Sequence, residues 1–268
     1  MNKKPIGIFD SGVGGLTVLK EISKLLPDED IIYLGDTARV PYGIRSSETV
    51  IRYSIECANF LYKKGIKMLV VACNTSSSVS LDTLEKQLPI PVIGVIEPGV
   101  MAALKATKNG KIGVIGTEAT IRSKAYEKKI KEKSQSFEVL SKPCPLFVPL
   151  VEEGILEGPI ADLVIERYLK ELKESSIDTL ILGCTHYPLL KNSIHKYMEQ
   201  INLVDSAEEA ARTVREILTE KNLLNTTNKS RSIKFYVTDD PERFRKIAEI
   251  FLNYEIEEIK KVSLKEEK

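Results

Sequence analysis

The sequence predicts an α/β fold of two similar three-layer domains with mainly parallel sheets. Three observations predict it. Short β-branched runs alternate with longer, charged, amphipathic segments. The short runs are continuously apolar rather than alternating, as in strands covered by helices on both faces. Two stretches of the first half also have look-alikes in the second: IGIFDSG from residue 6 and IGVIGTE from 112, an offset of 106, then LVVACNT from 69 and LILGCTH from 180, an offset of 111. Such a pattern fits two α/β units of one ancestral plan.

In chain order the strands fall at Ile6–Phe9, Ile31–Leu34, Met68–Val71, Val92–Val95, Lys111–Ile115, Phe137–Leu140, Thr179–Leu182, Asn202–Val204 and Ile233–Val237. Each is a short β-branched or apolar run bounded by turn residues or charge. Helical periodicity fills Leu16–Leu25, Ser46–Lys63, Ser78–Gln87, Thr120–Lys133, Pro159–Leu172 and Glu208–Thr219. Ser206 followed by Glu209 reads as a capping box for the last of these. Glu97-Pro98-Gly99 reads as a crossing between units, and Val204–Ala207 as the return. The first domain is therefore expected to be discontinuous, 1–97 plus 207–268, with 98–206 inserted.

Composition narrows the function. The 268 residues carry 39 basic and 38 acidic side chains, a formal charge of +1 that points to neither a nucleic-acid nor a membrane surface. The basic stretch Lys124–Lys133 and the acidic one Glu255–Glu258 lie among apolar residues and read as wet helix faces. Asp10 interrupts the opening apolar run before a signal-peptide core can form, and no apolar run approaches the ~20 residues of a membrane span. A cytoplasmic protein is expected.

There are four cysteines: Cys57, Cys73, Cys144 and Cys184, without a C-x-x-C pair. Cys73 in VVACNTSSS and Cys184 in LILGCTHYP each follow a strand, where ligands settle in open α/β sheets. With two such units face to face, one thiol reaches the cleft from each side. Opposed thiols suit inversion of a stereocentre bearing hydrogen: one takes the proton from one face, and the other returns a proton to the opposite face. Other readings stay open on the residues alone. The residues also fit two inert buried cysteines, a zinc site with Cys73, Cys184 and His186 as donors, or a Cys184 nucleophile served by His186. Cys57 and Cys144 read as structural.

The opening IGIFDSGVGG puts Asp10, Ser11 and three glycines between a strand and a helix. It is neither a dinucleotide fingerprint nor a P-loop. It reads as a turn able to hold a carboxylate, or as a purely structural turn. GDTARVPYG offers Pro41, Tyr42 and Gly43 to a small polar ligand. PLVEEG offers Glu152 and Glu153, which on composition alone read as loop charges.

Together IGIFDSGVGGLTVL, YLGDTARVPYG, VACNTSSS, VPLVEEG and LGCTHYPLL, in that order, resemble glutamate racemases, and the flanking elements fit from about residue 5 to 255. The resemblance implies two α/β domains with the active site in the cleft between them, commonly a homodimer. It implies interconversion of L- and D-glutamate without cofactor or metal, serving peptidoglycan precursor synthesis. By motif, Cys73 acts on D-glutamate and Cys184 on L-glutamate. Asp10 and His186 assist the two thiols, and Glu152 stands near the second. Asp10, Ser11, Pro41, Tyr42, Gly43, Asn74, Thr75, Thr185 and His186 match substrate-holding positions. An aspartate racemase differs by one methylene of substrate. A non-catalytic binding protein of the same fold is the alternative from another class.

Overall fold

The computed structural model describes residues 3–226 and 231–264. The elements are β1 (Ile6–Asp10), α1 (Leu16–Leu25), β2 (Ile31–Gly35), α2 (Ser47–Lys63), β3 (Met68–Val71), α3 (Asn74–Gln87), β4 (Val92–Gly94), α4 (Ile96–Ala106), β5 (Lys111–Gly116), α5 (Glu118–Ser123), α6 (Ala125–Lys133), β6 (Glu138–Pro143), α7 (Phe147–Glu152), α8 (Pro159–Glu174), β7 (Thr179–Gly183), α9 (Lys191–Met198), β8 (Asn202–Val204), α10 (Ser206–Glu220), β9 (Ile233–Val237), α11 (Pro241–Leu252) and β10 (Ile259–Lys261). They build two sheets, ordered β10-β9-β2-β1-β3-β4 and β6-β5-β7-β8. Every strand pair among the described residues is parallel.

The run β2-β1-β3-β4 of the first sheet has the same connection plan as the whole second sheet. The match extends to register: Ile6 pairs with Met68, and Ile112 with Thr179, so both look-alike pairs of the sequence occupy equivalent places. The central strands β1, β3 and β7 are buried at every residue, which explains their unbroken apolar runs, while β6 is partly exposed along its length.

The chain passes from the first sheet to the second through α4 and returns through α10. These two helices pack on each other, and α10 packs on α1. The contact face of α10 is mostly small, Ala207, Ala210, Ala211 and Val214, so the axes can approach closely. The buried α1 side chains Leu16, Val18, Leu19 and Ile22 belong to the same hydrophobic core as this face; burying a side chain such as Leu or Ile stabilises by ~1.5–3 kcal/mol.

Several local expectations need correction. The helix expected over 120–133 breaks at Lys124, a left-handed residue (φ 56°), into α5 and α6. Helix α3 begins at Asn74, directly after Cys73, because the serine run continues the helix rather than delaying it. The cap of α10 is Asp205, whose carboxylate accepts from the Ala207 N–H at 2.8 Å, so Ser206 is the first helical residue and forms no capping box. Glu97-Pro98-Gly99 lies in the first turn of α4, where proline costs no hydrogen bond. Among the described residues no helix is long and apolar enough to cross a membrane.

Candidate active site

The carboxyl ends of β1, β3, β5 and β7 converge on a cavity of about 330 Å³ between the two sheets. Cys73 and Cys184 both line it, one from each sheet. Cys73 stands at the N-cap of α3 with extended backbone (φ −66°, ψ 120°). The Ser77 hydroxyl fastens this turn by donating to the Val71 carbonyl (2.7 Å) and accepting from the Val95 N–H (3.2 Å). Cys184 follows β7 directly, ahead of a 3₁₀ turn over Tyr187–Leu190. There the Tyr187 hydroxyl anchors the loop on the Cys144 carbonyl at 2.8 Å.

The two sulfurs have different neighbours. The Cys73 thiol donates to Ser11 Oγ at 3.6 Å. Burial, then the Asp10 carboxylate, push this thiol up to about 12. Asp10 is fully buried behind the cavity wall, accepting from the Gly12 N–H (2.9 Å) and the Thr185 hydroxyl (3.4 Å). Burial raises its carboxyl above the ordinary value, against the pull of His186 and the Gly12 and Gly15 N–H groups.

Cys184 Sγ lies 3.9 Å from His186 Nδ1. The other ring nitrogen is 3.4 Å from Glu152 Oε1. That N–H is not aligned on the oxygen and has no hydrogen-bond partner, so the contact is an ion pair rather than a hydrogen bond. Burial works against a charged His186, but Cys184 and Glu152 beside it outweigh burial and push it up to about 10. Glu152, at the end of α7, is held below the ordinary carboxylate value, first by His186 and further by Arg243 of α11 at 3.7 Å.

Of the other expected residues, Ser11, Pro41, Tyr42, Gly43, Asn74, Thr75 and Thr185 all line the cavity. Tyr42 contributes no hydroxyl to it, because that group is turned to the Asp36 carboxylate and the Cys57 sulfur. The glycine-rich turn also differs from an anion cradle: of its residues only Ser11 lines the cavity. Its glycines permit close approach instead. A methyl group on Gly14 would sit 2.2 Å from Thr185 Oγ1 and 2.6 Å from His186 Nδ1. Cys57 and Cys144 are buried and do not line the cavity.

The wall also holds residues the motifs did not single out. Thr117 and Glu118 follow β5, and Pro145, Val148 and Pro149 make an apolar side around α7. Thr117 Oγ1 lies 2.9 Å from Thr75 Oγ1 and 3.0 Å from Thr120 Oγ1, so three hydroxyls join the two sheets at the rim. A signal for Thr117 was present: in IGVIGTE it occupies the place of Ser11 in IGIFDSG. Among the described residues no group of three or more His, Cys, Asp or Glu side chains is set to hold a metal ion.

Residues 6–214 match the Asp/Glu/Hydantoin racemase family. The chain is 54% identical over 266 residues to the glutamate racemase of Geobacter metallireducens, covering 99% of this chain and 98% of that one. The chain belongs to the glutamate racemase family. A solved family structure, from Francisella tularensis in complex with D-glutamate, superposes with a TM-score of 0.93 at 44% identity, over 98% of this chain and 99% of that one. The glutamate racemase of Aquifex pyrophilus gives 0.81 at 51% identity, over 95% and 98%. The two-sheet α/β architecture is thus that of the glutamate racemase family.

Seen as a family member's cleft, the arrangement has a definite chemical capacity. A thiol held protonated faces the cavity from one sheet, and a sulfur beside a cationic imidazole faces it from the other. Between them lie Asn74, Thr75, Thr117 and Thr185, all able to donate to carboxylates, and the amino-terminus of α3, whose dipole favours an anion.

Proposed function

We propose that this protein interconverts L-glutamate and D-glutamate by two-base proton transfer at the α-carbon, without a cofactor, and so supplies D-glutamate for peptidoglycan precursors. The observation that carries the reading is the pair of sulfurs set into one cavity from opposite sheets. The reading needs no cofactor, because each proton transfer has a sulfur on its own face.

For L-glutamate, Cys184 as thiolate takes the α-proton and Cys73 as thiol delivers one to the opposite face. The surroundings of the two sulfurs favour this assignment. Burial and Asp10 keep Cys73 protonated well above neutral pH, and the His186 imidazole, pushed up to about 10, stands 3.9 Å from the Cys184 sulfur. For D-glutamate the roles reverse, with Cys73 as base and Asp10 behind it as the group that exchanges its proton. Asp10 and His186 act through the thiols, and Glu152 keeps His186 charged.

The α-proton of an amino acid is a very weak acid, so the thiolate alone is insufficient. The planar carbanionic state draws its stability from fixed donors in a closed site: Ser11, Asn74, Thr75, Thr185 and the backbone around Pro41, Tyr42 and Gly43. A cavity of about 330 Å³ falls within the range of small-molecule sites and has room for an amino acid of about ten heavy atoms. We divide the lobes at 1–97 with 207–268, and 98–206, so that motion about α4 and α10 opens and closes the cleft. The resemblance also carries a homodimer and a cytoplasmic location.

The test is chiral analysis of purified protein with L-glutamate and no added cofactor. Either antipode should relax to an equal mixture. Failure to form D-glutamate would overturn the assignment. Parallel rates on aspartate sharpen it: one methylene in a fitted pocket is worth about 1–3 kcal/mol, so glutamate should lead by about 10–200-fold.

A further inference from the structure

We propose that Tyr126 is a positioning residue of this site, holding the side-chain amide of Asn74 and through it the loop that carries Cys73. The proposal rests on the racemase reading above. Asn74 follows Cys73 directly and lines the cavity. Its Nδ2 donates to Tyr126 Oη at 2.7 Å, a bond from α3 of one lobe to α6 of the other. Both side chains are buried, Asn74 at 4% and Tyr126 at 2% exposure. A role in packing alone would be met by phenylalanine, because a phenol oxygen in a dry interior needs a polar partner.

The ring is clamped by two glycines. A methyl on Gly183 would lie 3.0 Å from Tyr126 Cε2, and one on Gly99 3.3 Å from Cε1. Gly183 immediately precedes Cys184, and Gly99 belongs to α4, one of the two crossings between lobes. At the start of the other crossing, α10, the buried Ser206 hydroxyl borders the same space beside Gly99 and is the second polar neighbour of the Tyr126 phenol, though without an aligned hydrogen bond. One side chain therefore touches the residue after the first sulfur, the residue before the second, and a crossing helix. Any rotation of the lobes about α4 and α10 changes the Asn74–Tyr126 bond, so lobe closure and the orientation of the Asn74 amide are mechanically joined.

The experiment compares full-length Tyr126→Phe, Asn74→Ala, the double variant and Ser206→Ala in the chiral glutamate assay, with thermal melting alongside. Tyr126→Phe should lower kcat/KM about tenfold, mostly in kcat. The loss must be equal in both directions, because the equilibrium constant of a racemisation is one. In the Asn74→Ala background the same change should have no further effect. Ser206→Ala, which leaves the Asn74 bond intact, should stay within about twofold of the parent. Three results would overturn the proposal: an unchanged kcat/KM in Tyr126→Phe whatever its melting temperature, a full tenfold loss repeated in the Asn74→Ala background, or Ser206→Ala as slow as Tyr126→Phe. A parent protein that does not racemise glutamate would sink the reading on which the proposal stands, an outcome distinct from these three.

Discussion

The two sulfur sites share a backbone plan and differ in charge. At equivalent places the first strand of each lobe ends on Asp10 and Gly116, followed by Ser11 and Thr117. After the third strand stand Cys73 and Cys184, Asn74 and Thr185, then Thr75 and His186. One lobe has kept a buried carboxylate behind its thiol; the other has glycine there and places an imidazole beside its sulfur instead. A shared backbone plan thus presents one thiol from each sheet, and the residues at two equivalent pairs of positions give the two sulfurs different electrostatic surroundings.

The comparison breaks most visibly if either sulfur is dispensable. Cys73→Ala and Cys184→Ala should each lower kcat/KM by about 10²–10⁴-fold, the range for loss of a general acid or base. The loss must be the same from L- and from D-glutamate, since their specificity constants are tied by an equilibrium constant of one. A variant that keeps near-parental turnover in the chiral assay removes the need for two bases.

A smaller effect sharpens the Cys73 side. Asp10→Asn should cost about 10²-fold in kcat/KM, because the group that exchanges a proton with the thiol is gone. It should at the same time speed alkylation of Cys73 by iodoacetamide at pH 9, since Asp10 is one of the charges that raise this thiol. Unchanged alkylation would mean that Asp10 acts only as scaffolding.

A third effect concerns the Cys184 side and is read in stability rather than in rate. His186 rises from 6.5 to about 10 on folding. A group raised in the folded state stabilises fully below its unfolded value, and that contribution is lost as pH rises through the folded one. The melting-temperature advantage of the parent over His186→Asn should therefore be largest below pH 6.5, shrink between 6.5 and 10, and vanish above. A gap independent of pH would mean that the imidazole is not held charged.

How far the sequence could be read follows from the same physics. Buried parallel strands have unbroken apolar runs, so β1, β3 and β7 stood out, and with them both cysteines. β10, three residues reading Ile-Lys-Lys at a sheet edge, carries no such signal. The break at Lys124 was invisible because the apolar periodicity of α5 continues into α6, and a left-handed lysine has no composition cue. Ser206 looked like a cap because it precedes Glu209 by three, but Asp205 is the stronger acceptor one residue earlier. In the cavity, motif residues were legible because polar side chains at strand ends have few structural reasons to be there. The Pro145–Pro149 wall was not, since apolar lining looks like core. Gly14 was legible as a glycine but not as a contact: only the fold brings Thr185 and His186 against it.

The most direct test of two bases on two faces is α-proton exchange in D₂O by the single-cysteine variants, followed by NMR for each antipode separately. Cys73→Ala retains Cys184 and should wash deuterium into L-glutamate without inverting it, leaving D-glutamate unlabelled. Cys184→Ala should do the reverse. A single variant that labels both antipodes at similar rates would show one sulfur reaching both faces of the carbon, and would contradict the account.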